Sequence, residues 1–533
     1  MDKEKKSFSK HELEWDIESL PINFPKIIRR KYEFYYLRNK KRYTLWIDKC
    51  GKLSKGNIDW WMTLPSYRNP YISNIFNYLT VLDTLTSIKN KKINLTILTN
   101  SKQLSKIIKI YFKKSFEVKI QKNNAKFSIV KNLLKSIIFQ LVLFFFIKFF
   151  IKKQFYNKKK ILIVDKFITL NKKQNSNFFK DFSDTKKIKT LISPTFIPTM
   201  NFFKLFSNIF FLIKKKNNFI FKEHYLKLSD IIYSFNHIFR RRKFFKHKIN
   251  YKSFNLSNLL REETESYNDF FSINTGILNY IFFKRSSAEK INFVKSINWF
   301  ENQIIDKGWN LGFRTFYSKY EKSSFGYQDF SKHYNLMSNS PTAFEYKSKT
   351  TPEKLIIISS IFKKITKEFF LEQKIIVGQS WRFRNLVKSK NKRSNKKKRN
   401  MILLVLCGIK KIDAELLKVA VETCKINPKL DIFVKPHPIL NIKNISLKSD
   451  IPKNLLETDD NLQNLLQRSL ACVTAGPSST ILENSKIGLN TILVNIEAGT
   501  KENIKMFKLR KQRYFIIENF KELSLLIKRL KEF

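Results

Sequence analysis

Two short segments near the C-terminus combine residue types that could bind an anionic ligand. The first is KPHP at residues 435–438, and the second is TAGPSST at residues 474–480. Each follows an apolar run that predicts a buried strand, and the second leads directly into a predicted helix. Ligands of open α/β sheets bind beyond the carboxyl ends of the strands, so we predict that both segments face a ligand.

The first segment restrains a histidine between two prolines. Proline limits its own backbone and that of the residue before it, so the imidazole of His437 is aimed in one direction. Lys435 adds a positive charge at the same strand end. A single histidine is more often structural, but one restrained at the carboxyl end of a parallel strand is a candidate ligand-binding group. We predict that Lys435 and His437 bind an anion, and we count His437 among the candidate catalytic residues.

The second segment places hydroxyl groups at the start of a predicted helix. Gly476 lies at the strand-to-helix turn, and Ser478, Ser479 and Thr480 follow it. The unpaired N–H groups and the dipole of a helix N-terminus attract anions, and hydroxyl groups add donors. An ordinary helix N-cap is the alternative interpretation of the serines. Glu483 follows Ser479 by four residues and shares its helix face, where the carboxylate could accept hydrogen bonds from a sugar.

Predicted strands and helices alternate regularly from residue 401 onward. Residues 401–408 predict a buried strand that ends at Gly408, and residues 413–424 predict an amphipathic helix. The alternation continues with predicted strands over 430–434, 470–474 and 490–495 and predicted helices over 461–468 and 479–486. This pattern indicates a parallel, doubly wound sheet, so the predicted fold class is α/β.

The part of the chain before residue 388 shows a weaker pattern. Strands are predicted over 43–47, 94–98, 160–165, 355–358 and 374–378, a strand or a turn over 323–328, and a helix over 291–310. No glycine occurs between Gly56 and Gly276, and this interval rich in Phe and Lys predicts long amphipathic helices. The predicted domains are a Rossmann-like domain over 1–387 with a helical, basic and aromatic insertion at about 130–260, a basic linker over 388–400, and a second Rossmann-like domain over 401–533.

The composition suggests an anionic partner. The 533 residues include 103 Lys and Arg against 43 Asp and Glu, a formal charge of +60. Nucleic acid and an anionic membrane are the partners that such a charge indicates. The excess is mostly Lys and accompanies abundant Asn, Ile and Phe, so a coding bias toward A and T is an alternative origin of the charge. The basic runs lie beside apolar stretches, which favours a membrane surface over nucleic acid.

One apolar stretch, residues 137–151, resembles a membrane segment but is short. A transmembrane helix needs about 20 apolar residues, and Lys148 interrupts this stretch. We predict that it lies in a membrane interface or forms a shallow hairpin, with a buried core helix as the alternative. The four cysteines show no CxxC spacing, which favours a reducing cytoplasm.

The motifs after residue 400 resemble the C-terminal domain of GT-B glycosyltransferases. The resemblance covers residues 401–498 and rests on the HP motif at 437–438, the SS motif at 478–479, Glu483 and Gly488. It is closest to bacterial enzymes of capsule, lipopolysaccharide and O-antigen biosynthesis, including sialic-acid and Kdo transferases with HP and SS motifs. It implies two Rossmann-like domains that face a cleft. Pro477 departs from the plain Gly-Ser-Ser turn of that family.

The resemblance also implies roles for individual residues. The HP histidine and the SS turn would contact the phosphate of a nucleotide-activated sugar, and the helix glutamate would contact its ribose. It implies a bacterial protein that is cytoplasmic and peripheral on, or anchored to, the inner face of the cell membrane. The predicted donor-binding residues are Gly408, Lys435, His437, Gly476, Ser478, Ser479, Thr480 and Glu483.

The upstream half resembles the surroundings of the cleft in such proteins less strongly, through WFENQ at 299–303, KGWNLGFR at 307–314 and WRFR at 381–384. Inverting transfer needs a base for the acceptor hydroxyl. We choose Glu301, among aromatic residues of the predicted helix, because apolar surroundings raise the pKa of a carboxyl group. A helix-dipole or ion-pair role is the alternative. Arg314, Arg382 and Arg384 are candidate anion-binding residues.

The first hypothesis is a membrane-associated glycosyltransferase that extends a surface polysaccharide or a lipid-linked glycan. No convincing Asp-x-Asp motif ends a predicted strand, so we predict a metal-independent mechanism in which the nucleotide sugar is a substrate and no cofactor takes part. The alternatives are a polyol-phosphate transferase of the CDP-glycerol type, a basic nucleic-acid-binding protein, and a non-catalytic assembly protein.

Overall fold

The computed structural model describes most of the chain. The described residues are 13–91, 93–121, 125–156, 159–168, 188–214, 218–267, 269–317, 322–383, 401–438, 440–442, 445, 450–476, 478–507 and 513–532. Arg384, Pro477 and the predicted linker over 388–400 therefore lie outside the described residues.

Within these described residues the strands form three parallel sheets and one short hairpin. In chain order they are β1 (Leu13–Asp16), β2 (Leu95–Thr99), β3 (Glu117–Ile120), β4 (Ile161–Ile168), β5 (Lys189–Phe196), β6 (Asn250–Tyr251), β7 (Phe254–Asn255), β8 (Phe293–Trp299), β9 (Ser323–Gln328), β10 (Lys354–Ile357), β11 (Lys374–Val377), β12 (Met401–Val405), β13 (Ile432–Lys435), β14 (Leu455–Glu457), β15 (Ser469–Thr474), β16 (Asn490–Val494) and β17 (Tyr514–Ile517).

The helices lie between these strands. In chain order they are α1 (Lys26–Leu53), α2 (Ile58–Trp61), α3 (Leu64–Tyr67), α4 (Ile75–Ile88), α5 (Lys102–Phe112), α6 (Ala125–Phe150), α7 (Phe202–Lys214), α8 (Leu228–Phe235), α9 (His237–Arg240), α10 (Ser257–Ser266), α11 (Phe270–Ala288), α12 (Ile304–Phe316), α13 (Ala343–Lys347), α14 (Lys363–Thr366), α15 (Lys410–Ile426), α16 (Leu462–Arg468), α17 (Thr480–Ile487), α18 (Thr500–Phe507) and α19 (Phe520–Glu532).

The C-terminal sheet has the strand order of a Rossmann fold. Its six parallel strands run β14-β13-β12-β15-β16-β17, which is 3-2-1-4-5-6 in order of succession along the chain. The order reverses between β12 and β15, so the topological switch point lies where these two strands end. This sheet confirms the α/β fold class that the alternating pattern predicts.

The residues of β12 explain why this sheet lies between two layers of helices. All five residues from Met401 to Val405 are buried, as in a parallel strand covered on both faces. Ile402 and Leu404 belong to one hydrophobic cluster, whereas Met401, Leu403 and Val405 belong to another. Alternate side chains therefore fill the two layers, as the period of a strand requires.

The N-terminal domain contains a second parallel sheet of six strands in the order β11-β10-β9-β8-β4-β5. In order of succession this is 6-5-4-3-1-2, with its switch point between β4 and β8. The interval 130–260 was expected to be a helical insertion, but it supplies the two strands β4 and β5. That expectation is corrected, because the sheet would lose one whole edge without them.

Two further predictions in this domain are wrong. The predicted strand over 43–47 lies within α1, where Tyr32, Tyr36, Tyr43 and Ile47 recur at helical spacing and are buried. The predicted helix over 291–310 is the strand β8 followed by the start of α12. Neighbouring strands on both sides of β8 supply the hydrogen bonds that keep this segment extended.

The predicted strand over 94–98 is confirmed as β2, but it belongs to a separate sheet. β1, β2 and β3 form a small parallel sheet near the N-terminus. The region before β4 therefore forms its own layer, built by α1, α4 and this sheet, beside the six-stranded sheet of the N-terminal domain.

The two domains contact each other along the cleft between the sheets. Asn335 Nδ2 donates to the carbonyl oxygen of Ala498 at 2.8 Å, and the Tyr334 N–H donates to Asn503 Oδ1 at 2.6 Å. Arg29 of α1 also donates to the carbonyl of Asn495 at 3.0 Å. These bonds fix how the carboxyl edge of one sheet lies relative to the other.

Helix α6 contains the membrane-like stretch. Within the described residues, Ile129–Phe150 is the one helix long and apolar enough to cross a membrane by length and composition, which is weak evidence for a span. Phe139, Leu143 and Ile147 are buried against α7 and residues of β4 and β5. One face of α6 is thus part of the domain core.

Candidate functional site

Three strand ends meet at the switch point of the C-terminal sheet. Gly408 follows β12, His437 follows β13 and Gly476 follows β15. The backbone of Gly408 is left-handed with φ +81°, and a Cβ atom there would lie 2.6 Å from Nδ1 and 2.7 Å from Cγ of His437. The imidazole therefore packs directly on the Gly408 backbone, and glycine is required both for the conformation and for the space.

Asp413 organises the loop that precedes α15. Its Oδ1 accepts the N–H of Cys407 at 2.6 Å and its Oδ2 accepts the N–H of Gly408 at 2.8 Å. Burial raises the pKa of Asp413, and the two N–H donors oppose that shift. Because the Gly408 N–H is already bound, Gly408 supports His437 and does not offer its N–H to a ligand.

The N-terminus of α17 separates the roles of the two serines. Ser478 is buried, and its Oγ accepts the N–H of Thr480 at 3.3 Å. Ser479 is the N-cap residue and is half-buried, and its Oγ accepts a hydrogen bond from Arg382 Nη2 at 3.0 Å. Ser479 therefore faces the other domain, whereas Ser478 holds the turn.

Arg382 reaches this helix from the N-terminal domain because Asp329 holds its segment. Asp329, directly after β9, accepts the N–H of Trp381 at 3.1 Å and the N–H of Arg382 at 3.0 Å through Oδ2. Its Oδ1 accepts the Ser380 hydroxyl. The Trp381 ring lies 4.6 Å from the Tyr327 ring, centroid to centroid. We did not single out Asp329 from the sequence, where only its place after a predicted strand pointed to it.

The charge of Arg382 affects two candidate residues of the C-terminal domain. Burial lowers the pKa of His437, and the guanidinium of Arg382 lowers it further. Burial raises the pKa of Glu483, and Arg382 opposes that rise. His437 is therefore neutral near pH 7, and Arg382 supplies the positive charge beside the N-terminus of α17. A phosphate would find the planar guanidinium, the Ser479 hydroxyl and the positive end of the α17 dipole together.

The remaining predicted donor-binding residues lie beside this cluster. Lys435 Nζ donates to the carbonyl oxygen of Thr458 at 3.3 Å, next to β14, so its ammonium is directed away from β15. Thr480 is buried as the first residue of α17. A Cβ atom on Gly476 would lie 2.7 Å from Glu497 Oε1, so a glycine at this position lets the turn approach the Glu497 side chain closely.

Glu301 lies in the loop between β8 and α12 and not on a helix, which corrects the expected setting of this residue. Its Oε1 accepts the Trp299 Nε1–H at 2.7 Å, and its Oε2 accepts from Gln303 Nε2 at 2.8 Å. Its N–H donates to Asp306 at 2.9 Å. The carboxylate therefore stands at the carboxyl edge of the N-terminal sheet with one of these bonds to each oxygen, and none of these three contacts involves Arg382 or His437.

A buried network of charges supports the Glu301 loop. Glu345 Oε2 pairs with Arg68 Nη2 at 2.7 Å, and Oε1 pairs with Lys307 Nζ at 2.6 Å. Burial alone would raise the pKa of Glu345, but Arg68 and Lys307 lower it to about 2. Asn302, next to Glu301, has φ +58° and donates through Nδ2 to both oxygens of Glu345 at 3.2 Å. The network fixes the loop in a conformation that asparagine tolerates better than most residues.

Arg314 is not available to bind an anion, which corrects its predicted role. It is buried, and its Nη1 donates to the carbonyl oxygens of Tyr346 and Thr351 at 2.9 Å each. Burial lowers the pKa of Arg314. Its bonds fasten α12 to α13 and to the segment that follows α13. Of the three predicted arginines, Arg382 alone is placed by the described residues at the switch point.

An interdomain cluster of polar side chains stands next to the site. Tyr71 Oη donates to Glu497 Oε2 at 2.6 Å and lies 3.1 Å from His333 Nδ1. His333 Nε2 lies 2.9 Å from Glu497 Oε1 and 2.6 Å from Asn503 Nδ2. These residues come from three distant parts of the chain, so no local pattern in the sequence could group them.

A cavity of about 210 Å³ adjoins this cluster. It lies between the first helices and the start of α15, and Glu18, Tyr71, Lys410, Lys411 and Glu497 are among its walls. Apolar residues such as Leu20, Ile409 and Ile412 share the walls with these polar side chains. Within the described ranges no group of three or more His, Cys, Asp or Glu side chains is arranged to hold a metal ion.

Comparison with known proteins gives a likeness of architecture. No family model matches the chain, and no curated protein matches it in sequence. Structures similar to it include MurG of Acinetobacter baumannii (9% identity, 70% of this chain and 90% of that chain covered, TM-score 0.32). Two further examples are a UDP-GlcNAc 2-epimerase of Neisseria meningitidis bound to UDP-GlcNAc (11%, 70% and 92%, 0.37) and the lipopolysaccharide outer core galactosyltransferase WaaB (12%, 70% and 90%, 0.35). Because every TM-score here is below 0.5, the likeness carries no functional conclusion for this chain.

Proposed function

We propose that this protein is a glycosyltransferase that moves a sugar from a nucleotide-activated donor to a surface polysaccharide or a lipid-linked glycan. The observation that carries the proposal is the hydrogen bond from Arg382 to Ser479 at 3.0 Å across the cleft. It places a fixed cation of one domain at a helix N-terminus of the other, beside His437 and Glu483. The switch point of a Rossmann-order sheet is where such a fold binds a nucleotide.

The donor would be held mainly through its phosphate groups. Arg382 offers a planar pair of donors, and the Ser479 hydroxyl and the α17 N-terminus offer more. Neutral His437, held on Gly408, can donate one hydrogen bond to a phosphate oxygen. Glu483, one turn into α17 and buried, is placed to accept hydrogen bonds from the ribose hydroxyls.

Transfer would be driven by stabilising the leaving phosphate. Charge that develops on the phosphate as the glycosidic bond breaks would be met by Arg382 and by the helix N-terminus, and this part of the mechanism needs no metal ion. Glu301, at the facing edge of the N-terminal sheet, is our candidate for the base that takes the proton of the acceptor hydroxyl. The 210 Å³ cavity beside Tyr71 is our candidate for part of the acceptor site.

Nucleotide binding is the test. We would measure the dissociation constants of CMP, UDP, GDP and CDP-glycerol by calorimetry for the wild type, Arg382→Ala and Ser479→Ala. Loss of a charge-assisted hydrogen bond costs about 1.5–3 kcal/mol, so Arg382→Ala should weaken binding at least tenfold. Arg468→Ala is the matched control, because the Arg468 side chain is 67% exposed and the residue directly precedes the amino end of β15, whereas the site lies at the carboxyl end. This variant should change the dissociation constant less than twofold.

Three outcomes would contradict the proposal. Absence of binding by every nucleotide at millimolar concentration would remove the donor site. Binding of CDP-glycerol alone would replace sugar transfer by polyol-phosphate transfer. Tight binding of nucleic acid that falls steeply with salt and is unchanged by Arg382→Ala would favour the basic nucleic-acid-binding alternative.

A further inference from the structure

We propose that α6, α7 and the segment 151–156 form a site that binds an anionic phospholipid of a bilayer. The site lies on the N-terminal domain and is independent of the proposed donor site. Two separate features indicate it: an apolar face that the described residues leave exposed, and a cavity with basic and aromatic walls at the end of that face.

The inner face of α6 is buried in the core of the N-terminal domain. Phe139, Leu143 and Ile147 are at most 4% exposed. Ser136 Oγ accepts a hydrogen bond from Asn274 Nδ2 of α11 at 3.2 Å. A helix that spans a bilayer alone would have to break these contacts, so α6 is better suited to lie in the membrane surface than to cross it.

The outer face of α6 is an exposed apolar stripe. Val130, Leu134, Ile138, Phe145 and Phe149 are 58%, 53%, 43%, 41% and 76% exposed. They recur every four or seven residues and so share one side of the helix. At 1.5 Å per residue the stripe is about 28 Å long. Soluble monomers rarely leave such a surface uncovered.

Helix α7 and the segment after α6 extend this surface. The rings of Phe146 and Phe206 stack with centroids 3.9 Å apart and join the two helices. Phe203 of α7 is 90% exposed and Phe155 is 78% exposed. Large aromatic side chains therefore project from two neighbouring elements, where they would be available for burial in a bilayer.

A cavity of about 480 Å³ opens between these elements. Its walls combine apolar side chains such as Phe150, Phe210 and Phe219 with Lys152 and Lys153. The volume lies in the range of small-molecule sites. An apolar wall with cations at one end suits a molecule with a hydrocarbon chain and an anionic head.

Two polar groups of this cavity lack partners. Tyr225 is 4% exposed, and its Oη has no hydrogen bond among the described residues; the same holds for Nε2 of His224. Lys153 Nζ pairs with Glu289 at 2.6 Å and lies 4.5 Å from the Tyr225 ring centroid. Lipid ester and phosphate oxygens would give Tyr225 and His224 the partners that burial otherwise denies them.

The lysines around this apolar surface favour an anionic bilayer over an uncharged apolar partner. Lys131 and Lys135 are exposed on α6 beside the stripe, and Lys148, Lys152 and Lys153 surround its C-terminal end. Apolar side chains flanked by lysines are the pattern of a helix that lies in the surface of an anionic membrane. Lys148 Nζ donates to the His224 carbonyl at 3.0 Å, which ties the basic end of α6 to the cavity.

Vesicle sedimentation tests the surface. The full chain would be mixed with vesicles of phosphatidylcholine alone and of phosphatidylcholine with one quarter phosphatidylglycerol. We expect binding to the anionic vesicles that falls at least tenfold in Phe149→Ser/Phe155→Ser and about fivefold in Lys152→Gln. Phe34→Ser, at a phenylalanine that is 48% exposed on α1, is the matched control and should bind as wild type does. Equal binding by the double variant and the wild type would overturn the proposal, as would no binding by the wild type.

Calorimetry with soluble probes tests the cavity. Dihexanoyl phosphatidylglycerol below its micelle concentration should bind the wild type at one site, and inorganic phosphate should not. Ile213→Trp, which fills the cavity, should abolish that binding, whereas Ile110→Trp on exposed α5 should not. Phosphate binding as tight as that of the lipid, or lipid binding unchanged by Ile213→Trp, would contradict a lipid site. Nucleotide affinity measured on the same variants should stay constant, so failure here is distinct from failure of the proposed function.

Discussion

The carboxyl edges of the two six-stranded sheets face one cleft but are held in different ways. The edge of the C-terminal sheet is held mainly by its backbone. The His437 ring packs on the Gly408 backbone, and Asp413 accepts hydrogen bonds from two backbone N–H groups. At the N-terminal sheet, buried charges hold the Glu301 loop through Glu345, Arg68 and Lys307. One edge is therefore sensitive to added atoms, and the other is sensitive to the loss of a charge.

The largest effect should come from breaking the charged edge. Glu345→Ala leaves Arg68 and Lys307 buried without a counter-ion, and removal of one partner of a buried pair costs about 3–5 kcal/mol. We expect a loss of that size in the free energy of unfolding, measured by urea denaturation. Glu372→Ala, at an exposed glutamate, should stay within about 0.5 kcal/mol. Equal losses in the two variants would contradict the role of the network.

The C-terminal edge should respond to one methyl group. Gly408→Ala combines a left-handed backbone with a Cβ atom 2.6 Å from the His437 ring, and we expect a loss of about 2–4 kcal/mol. Gly56→Ala separates the two causes, because Gly56 has φ +64° but its nearest neighbour would be 3.7 Å away. Its expected loss is about 1 kcal/mol, from backbone strain alone. Equal losses of unfolding free energy in Gly408→Ala and Gly56→Ala would contradict the packing of His437 on Gly408.

The charged edge should also make stability depend on pH. Burial raises the pKa of Asp48 to about 7, with Glu345 adding to the shift. A carboxyl group whose pKa is raised by folding binds more protons in the folded protein than in the unfolded one. Its contribution to the free energy of unfolding is therefore fully present below about pH 4 and is lost as the pH rises through 7. The free energy of unfolding should fall between pH 5 and pH 8, and this decrease should be smaller in Asp48→Asn than in the wild type by at least about 1.4 kcal/mol. An unchanged slope would contradict this assignment.

The smallest effect concerns the contact that joins the two edges. Asp329→Ala removes the acceptor that holds Trp381 and Arg382, so we expect about a fivefold rise in the nucleotide dissociation constant. If Asp329 acts only by positioning Arg382, the double variant Asp329→Ala/Arg382→Ala should bind as weakly as Arg382→Ala and no more weakly. Additive losses would show that Asp329 affects the ligand by another route.

Four strands of the C-terminal sheet, β12, β13, β15 and β16, were predictable because their information is local, whereas the edge strands β14 and β17 were not predicted. Buried apolar runs such as 401–405, separated by amphipathic helices, determine a parallel sheet whatever the rest of the chain does. In the N-terminal sheet β4, β9, β10 and β11 were predicted, whereas β5 was not and β8 was mistaken for a helix. The strand β8 contains buried polar residues, among them Ser296 and Asn298. Their hydrogen bonds to other elements replace the apolar periodicity that a sequence pattern requires.

The sequence alone determined the alternation of elements after residue 400, the restrained His437, and the start of α17 at the SS motif, since each depends on neighbours in the chain. Tertiary structure decided which residues share the site. Arg382 and Ser479 are 97 residues apart, and Arg68 and Glu345 are 277 apart. It also decided that one face of α6 is core and the other is exposed. These outcomes depend on how separate elements pack, and packing brings together charges and apolar faces whose spacing along the chain carries no periodic signal.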